Sequence, residues 1–201
     1  HSPERAKHQN TKTSKNMKYQ KIYLTVTLLL SLSLSCTQQK WTETEGESYH
    51  LVENRGGQTL GYTPESGVTI LEQEGFAFKD LNKSGELDPY EDWRLPYQER
   101  AKDLAAKLSI EEIAGLMLYS AHQAIPTRNA GPRGGTYAGQ PFEEGVTDPS
   151  EPTDQQKQFL DEDNLRHVLV TNVQSPEVAA QWSNKVQAFC ESVGKGIPAN
   201  N

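Results

Sequence analysis

Apolar residues fall into three regimes along this chain. The first is a run at 22–34 interrupted only by Thr and Ser, far denser than anything that follows. The second is a set of short alternating stretches at 49–53, 59–62, 68–72 and 76–78, separated by Asn54-Arg55-Gly56-Gly57 and by Gly75. Alternation over four or five residues bounded by turn formers predicts a small β element. From Pro96 onward the spacing becomes helical. Pro96 suits the first turn of a helix reaching Lys107, with Ala101, Leu104, Ala105 and Leu108 on one face. Ser109 and Glu112 have capping-box spacing and predict a second helix carrying Ile110, Ile113, Ala114 and Met117.

Residues 121–152 have no period and are rich in Gly and Pro, which predicts a long loop. A short helix starts at Asp154 and reaches Leu160, and 165–171 is apolar enough for a buried strand. Ser175-Pro176-Glu177 then caps the strongest helix, where Val178, Trp182, Val186, Phe189, Cys190 and Val193 recur on one face. Gly194 and Gly196 end it, and Ile197-Pro198 begins what reads as a further strand. Strand, helix, strand in that order implies a parallel α/β unit.

Composition narrows the function classes. The 201 residues are only 34% hydrophobic, so the core is possible but not generous. The net charge of −7 conceals an asymmetry: residues 1–36 hold six Lys/Arg and one acidic residue, whereas beyond Cys36 there are 14 basic against 26 acidic side chains. Such a surface argues against nucleic acid and anionic membranes as partners and suits a divalent cation.

The first apolar run is read as an export signal. Met17 and a basic segment with Lys18 and Lys21 precede it, and Ser35-Cys36 closes it in the manner of a bacterial lipoprotein processing site. Cys36 would then carry the lipid, although Leu32 lies four residues before it where three is usual, and a plain cleaved signal or an uncleaved anchor stay open. Membrane association is expected only through this signal or lipid, placing the protein in the cell envelope, periplasmic or on the outer membrane, or else secreted. The expected organisation is a tag-like tail at 1–16, the signal at 17–36, a polar tether at 37–48, the β element with its loop at 49–95, and an α/β portion at 96–201.

Cys190 alone remains once Cys36 is assigned to lipid, so no disulfide framework is available, and its helical spacing makes it a small core residue. His50, His122 and His167 are isolated in sequence from carboxylates and thiols at ligand spacing and read as structural or surface residues. Glu143, Glu144 and Asp148 read as a solvated loop, not as acid/base carboxylates.

The candidate chemistry lies between Phe78 and Trp93. With Asp80 at position one, Asn82 stands at three, Ser84 at five, Gly85 at six, Glu86 at seven, Asp88 at nine and Glu91 at twelve of an EF-hand calcium loop. A hard cation needs six to eight converging oxygens from a backbone that turns sharply, and Gly85 supplies the turn. Asp80, Asn82, Ser84, the Glu86 carbonyl, Asp88 and a bidentate Glu91 would be the ligands, with Leu87 anchoring the loop. A polar turn is the plain alternative. Because the loop lies between a β element and a helix, the expected role of calcium is structural.

The run FKDLNKSGELDPYEDWRLPYQERAKDLAAKLSIEEIAGLML resembles the opening segment of glycoside hydrolase family three, the β-glucosidase-like enzymes of bacterial envelopes. SPEVAAQWSNKVQAFCESVGKGIPANN is similar to that family's first long barrel helix and the strand after it. The resemblance covers most of residues 68–201 and implies the N-terminal portion of a (β/α)8 barrel of TIM type. It further implies a carbohydrate substrate and hydrolysis of terminal β-linked sugars with retention. The family's nucleophilic Asp, its sugar-contacting Lys-His and Arg and its acid/base residue lie downstream of the strand begun by Gly196-Ile197-Pro198, so no catalytic residue is assigned. The chain is thus expected to be an incomplete, catalytically silent part of the barrel. Two other classes compete: a calcium-binding envelope lipoprotein module without enzymatic activity, and a scaffold fragment with neither property.

Overall fold

A computed structural model describes residues 38–46, 48–129 and 134–199. The tail, the signal and Cys36 lie outside the described residues. Residues 39–201 group as one compact unit.

The β element contains two antiparallel sheets. β1 (Trp41–Glu45), β2 (His50–Asn54) and β3 (Thr59–Tyr62) form a meander in that order, with Trp41 opposite Asn54 and His50 opposite Tyr62. β4 (Thr69–Gln73) and β5 (Phe76–Asp80) form a hairpin closed by Glu74 and Gly75, both at positive φ, 57° and 82°. Two consecutive positive φ values match the right-handed twist of the strands, and Glu74 tolerates its strained position while its carboxylate meets Arg94 at 2.7 Å. β1 corrects the expected tether. Only Trp41 is apolar in it, but that indole packs on the cluster of Val52, Leu60 and Ala77, and the remaining polar residues pair as an edge strand.

Asn54 joins the two sheets. Its amide donates to the carbonyls of Gln58 (2.9 Å) and Ala77 (3.1 Å) and accepts from Ala77 N–H (2.8 Å). Trp93 covers the junction: it stacks on Phe78 with ring centroids 5.3 Å apart, donates to the Ala77 carbonyl, and approaches so closely that a Cβ at Gly57 would lie 2.2 Å from its ring.

The helices are α1 (Tyr97–Lys107), α2 (Ile110–Leu116), α3 (Asp154–Asp161) and α4 (Pro176–Ser192). Pro96 stands one place outside α1, as its N-cap. The capping box of Ser109 and Glu112 forms as expected, and Thr153 with Gln156 forms a second one on α3. Val178, Trp182, Val186 and Cys190 of α4 bury the predicted stripe against Ile125, Leu160 and Val168. By contrast α1 buries no side chain, and Ile110 and Met117 of the next segment are 81% and 80% exposed. At Gly115 α2 approaches its neighbours closely, since a Cβ there would lie 2.5 Å from the Asp163 carbonyl.

The parallel pairing differs from the expected unit. β6 (Gln123–Ile125), inside the segment read as loop, pairs with β7 (Val170–Val173), with α3 between them in sequence. Residues 165–169 pair only in part: the His167 and Leu169 carbonyls accept from the Ser120 and Gln123 N–H groups at 2.9 and 3.3 Å, while Arg166 holds the Leu165 carbonyl at 2.6 Å and Ser120 Oγ accepts from Leu169 N–H. His167 forms an isolated bridge with Tyr119. Ile197 and Pro198 are not a strand, because side chains take the backbone groups around them. The Ile197 carbonyl binds buried Arg166 at 2.8 Å, and Ala199 exchanges two hydrogen bonds with the Gln187 amide. The described residues are mixed α and β in small sheets with no closed barrel. Among them no helix is long and apolar enough to cross a membrane.

Candidate functional site

The twelve-residue loop leaves the end of β5 and returns just before α1. Asp80 is its first residue and the last of β5. Its two carboxylate oxygens accept from the N–H groups of Ser84 and Gly85, both at 2.9 Å, so position one folds the loop back on itself. Gly85 has φ 76° with open space around it, as the sixth position requires. Asn82 Oδ1 accepts from Ser84 N–H at 3.0 Å, and Ser84 Oγ donates to the Glu86 carbonyl at 3.0 Å. Leu87, expected to anchor the loop, is half-buried.

Glu91 closes the loop from within. It is buried, one oxygen accepting from Leu81 and Asn82 N–H at 2.8 and 3.2 Å and the other from Asp88 N–H at 3.0 Å. Burial pushes its carboxyl upward against the lowering effect of those three amides. Burial likewise drives the neighbouring Tyr90 phenol upward, reinforced by the Glu91 charge.

Asp88 has partners that the spacing did not reveal. One oxygen accepts from the Asn82 amide at 2.6 Å and the other meets Lys107 of α1 at 3.1 Å. Lys107 also meets Asp103 one turn earlier, and its ammonium is held above its usual range by hydrogen bonds to Asp88 and Asp103. The ammonium therefore stands at one of the proposed ligands. The six positions Asp80, Asn82, Ser84, Glu86, Asp88 and Glu91 share one loop and offer only oxygen, the donor chemistry calcium favours. Their present bonds, however, satisfy the loop internally. Among the described residues no group of three or more His, Cys, Asp or Glu side chains is arranged to hold a metal ion.

Other residues singled out in the sequence acquire definite places. Cys190 is fully buried in the α4 core and burial pushes its thiol up to about 11, as an inert core residue should behave. His50 does have a carboxylate neighbour: Glu43, brought by β1, lies 2.8 Å from its ring nitrogen and accepts from Tyr62 at 2.6 Å. The Tyr62 and His50 hydrogen bonds hold the Glu43 carboxyl below its usual range. Asp148 is tied to Lys185 of α4 at 2.5 Å and Glu144 to Arg128 at 3.0 Å, so these loop carboxylates serve ion pairs.

Sequence reasoning missed a second constellation. Lys79 in β5 and the buried Glu191 in the last turn of α4 form a partly buried ion pair 112 residues apart in the chain. Neither stands at a ligand or capping position of the patterns read in the sequence, and nothing in the local spacing of either residue pointed to the other.

No family model matches this chain. It is 34% identical over 134 residues to a periplasmic beta-glucosidase/beta-xylosidase of Dickeya chrysanthemi, an alignment covering 66% of this chain and 18% of that protein. The chain thus spans under a fifth of its relative's length. The similarity supports a glycoside-hydrolase-like relationship.

Proposed function

We propose that this chain forms the leading part of an envelope glycoside hydrolase of family three that removes terminal β-linked glucosyl or xylosyl groups. The observation that carries the reading is the 34% identity, over 134 residues, to a periplasmic beta-glucosidase/beta-xylosidase. The β6-α3-β7 unit, a parallel pair with a helix between its strands, supports a role as the beginning of a barrel wall. Retaining hydrolysis requires a nucleophilic carboxylate about 5 Å from an acid/base carboxylate. Neither role is assigned to a residue of this chain. Its contribution is to support the catalytic strands, and its lipidated form, through Cys36, would hold the enzyme at the envelope.

Calcium at the 80–91 loop is part of the same proposal. The cation would take oxygens of Asp80, Asn82, Ser84, Glu86, Asp88 and Glu91, and Lys107 would have to leave Asp88. Its role would be to pin the end of β5 to the start of α1. Aryl β-glucoside and aryl β-xyloside hydrolysis by the intact gene product, set beside the 201-residue chain, tests the enzymatic reading. Turnover by the former alone is expected, and failure of the intact product on both substrates refutes it. A rise in melting temperature on adding calcium, absent in Glu91→Gln, tests the ion; equal melting with calcium and with chelator removes it.

A further inference from the structure

Glu191 is a buried carboxylate with one oxygen accounted for. Its Oε1 meets the Lys79 ammonium, which also donates to the Gly61 carbonyl at 3.0 Å. Its Oε2 is buried and has no hydrogen-bond partner among the described residues. A buried charged acceptor without a donor is destabilising, so a feature of this kind calls for a donor group from outside the chain.

The Lys79–Glu191 pair forms a shared wall between two clefts. One, of about 300 Å³, is lined by Trp93 and Tyr97 with Arg100 beside them. The other, of about 480 Å³, is lined by Tyr49 and Tyr62. Tyr97 and Tyr49 are 75% and 44% exposed, so each cleft has an accessible aromatic rim while the charged pair lies within. Glu191 lines both clefts, and its terminal torsion is soft, so a turn of the carboxyl is the movement by which a ligand on either side would engage Oε2.

We propose that this double cleft binds a neutral saccharide, with sugar hydroxyls donating to Glu191 and ring faces resting on Tyr97 and Tyr49. Three alternatives fit the lining less well. An anion would face the unsatisfied oxygen, a cation would face Lys79 in either cleft and Arg100 in the first, and an apolar ligand would bury Oε2 without a donor. A polyhydroxylated ring supplies donors along its edge and apolar C–H groups on its faces. Clefts of this size lie at the lower end of small-ligand sites, where aromatic walls and a few polar groups fix orientation. The inference concerns binding without cleavage and does not rest on the hydrolase reading.

Calorimetric titration of the full chain with cellobiose and xylobiose tests it, with phenyl phosphate and ethanolamine as the charged comparisons. Saturable millimolar binding of a disaccharide is expected. Tyr97→Ala and Tyr49→Ala should each weaken it about tenfold with unchanged melting temperature, because both rings stand at exposed rims. Glu191→Gln should weaken it further. If that variant fails to fold, the two tyrosine variants still decide. Folded chain that shows no saturable disaccharide binding overturns the proposal and leaves water on Glu191. Wild-type affinity in both tyrosine variants, or tighter binding of either charged compound, also overturns it.

Discussion

Asn54→Ala is the substitution that most directly probes how the β element is held together. It removes the acceptor of Ala77 N–H and both amide donations, to Gln58 and Ala77. The Ala77 carbonyl keeps the Trp93 indole as donor, and the exposed Gln58 returns to water, so the lasting cost is one orphaned N–H at a residue that is 0% exposed. A buried donor without a partner costs about 1–3 kcal/mol, and the small void adds to it, for a total of roughly 2–3 kcal/mol. At about 2–4 °C per kcal/mol for a chain of this size, the melting temperature should fall by roughly 4–12 °C.

Asn54→Asp separates the donors from the acceptor. It keeps the bond from Ala77 N–H but turns a carboxylate oxygen toward two carbonyls that offer it no proton. At neutral pH it should be more damaging than alanine. The folded state raises this carboxyl above its unfolded value of about 3.9, so the deficit should shrink as pH falls into the window just above that value and grow as pH rises. Urea unfolding at neutral and mildly acidic pH measures both variants. Asn54→Ala within about 0.5 kcal/mol of wild type, or Asn54→Asp no worse than alanine at neutral pH, would refute the reasoning.

Other consequences follow from particular contacts. Trp41→Ala removes the indole from the Val52 cluster and its hydrogen bond to Glu72 and should cost about 3 kcal/mol; amide exchange over 41–45 in the wild type as fast as in an unstructured peptide would contradict the strand. Gly57→Ala places a Cβ against the Trp93 ring and should cost about 1–3 kcal/mol with a changed near-ultraviolet spectrum, whereas an unchanged spectrum would show that the ring does not sit there. Burial raises the Asp154 carboxyl, but the Thr136 hydroxyl, the Gly139 and Ala138 amides and the Lys157 charge together outweigh it and hold the group below its usual value of 3.8. Its contribution is present above that value and lost as pH falls through the lower folded one, so Asp154→Asn should flatten the stability profile below about pH 4; an unchanged acid limb counts against the clamp.

Much of the architecture is legible because local chemistry and tertiary structure agree. α4 shows its apolar face at helical spacing, and α2 announces itself through Ser109 and Glu112. The hairpin of β4 and β5 is marked by alternation around Gly75, and the cation-loop pattern is legible from Asp80 to Glu91 because every position is defined by spacing from one glycine. Where the reading failed, the deciding partner was distant. β1 looked like a tether because its single apolar residue finds its core only across the sheet, and Asn54 looked like a turn residue although its amide links two sheets.

The sequence by itself determined the helices, the strands from β2 to β5, the core stripe of α4 and the oxygen ligands offered by the 80–91 loop, since these depend on residue type and spacing within one turn or strand. Tertiary structure alone decided that Lys107 stands on Asp88 and that Glu191 is buried against Lys79 with an oxygen to spare. It also decided that Arg166 and Gln187 take the backbone of residues 197–199 out of any sheet. Hydrogen bonds between residues far apart in the chain leave no periodic trace, because each depends on where two separate elements come to rest.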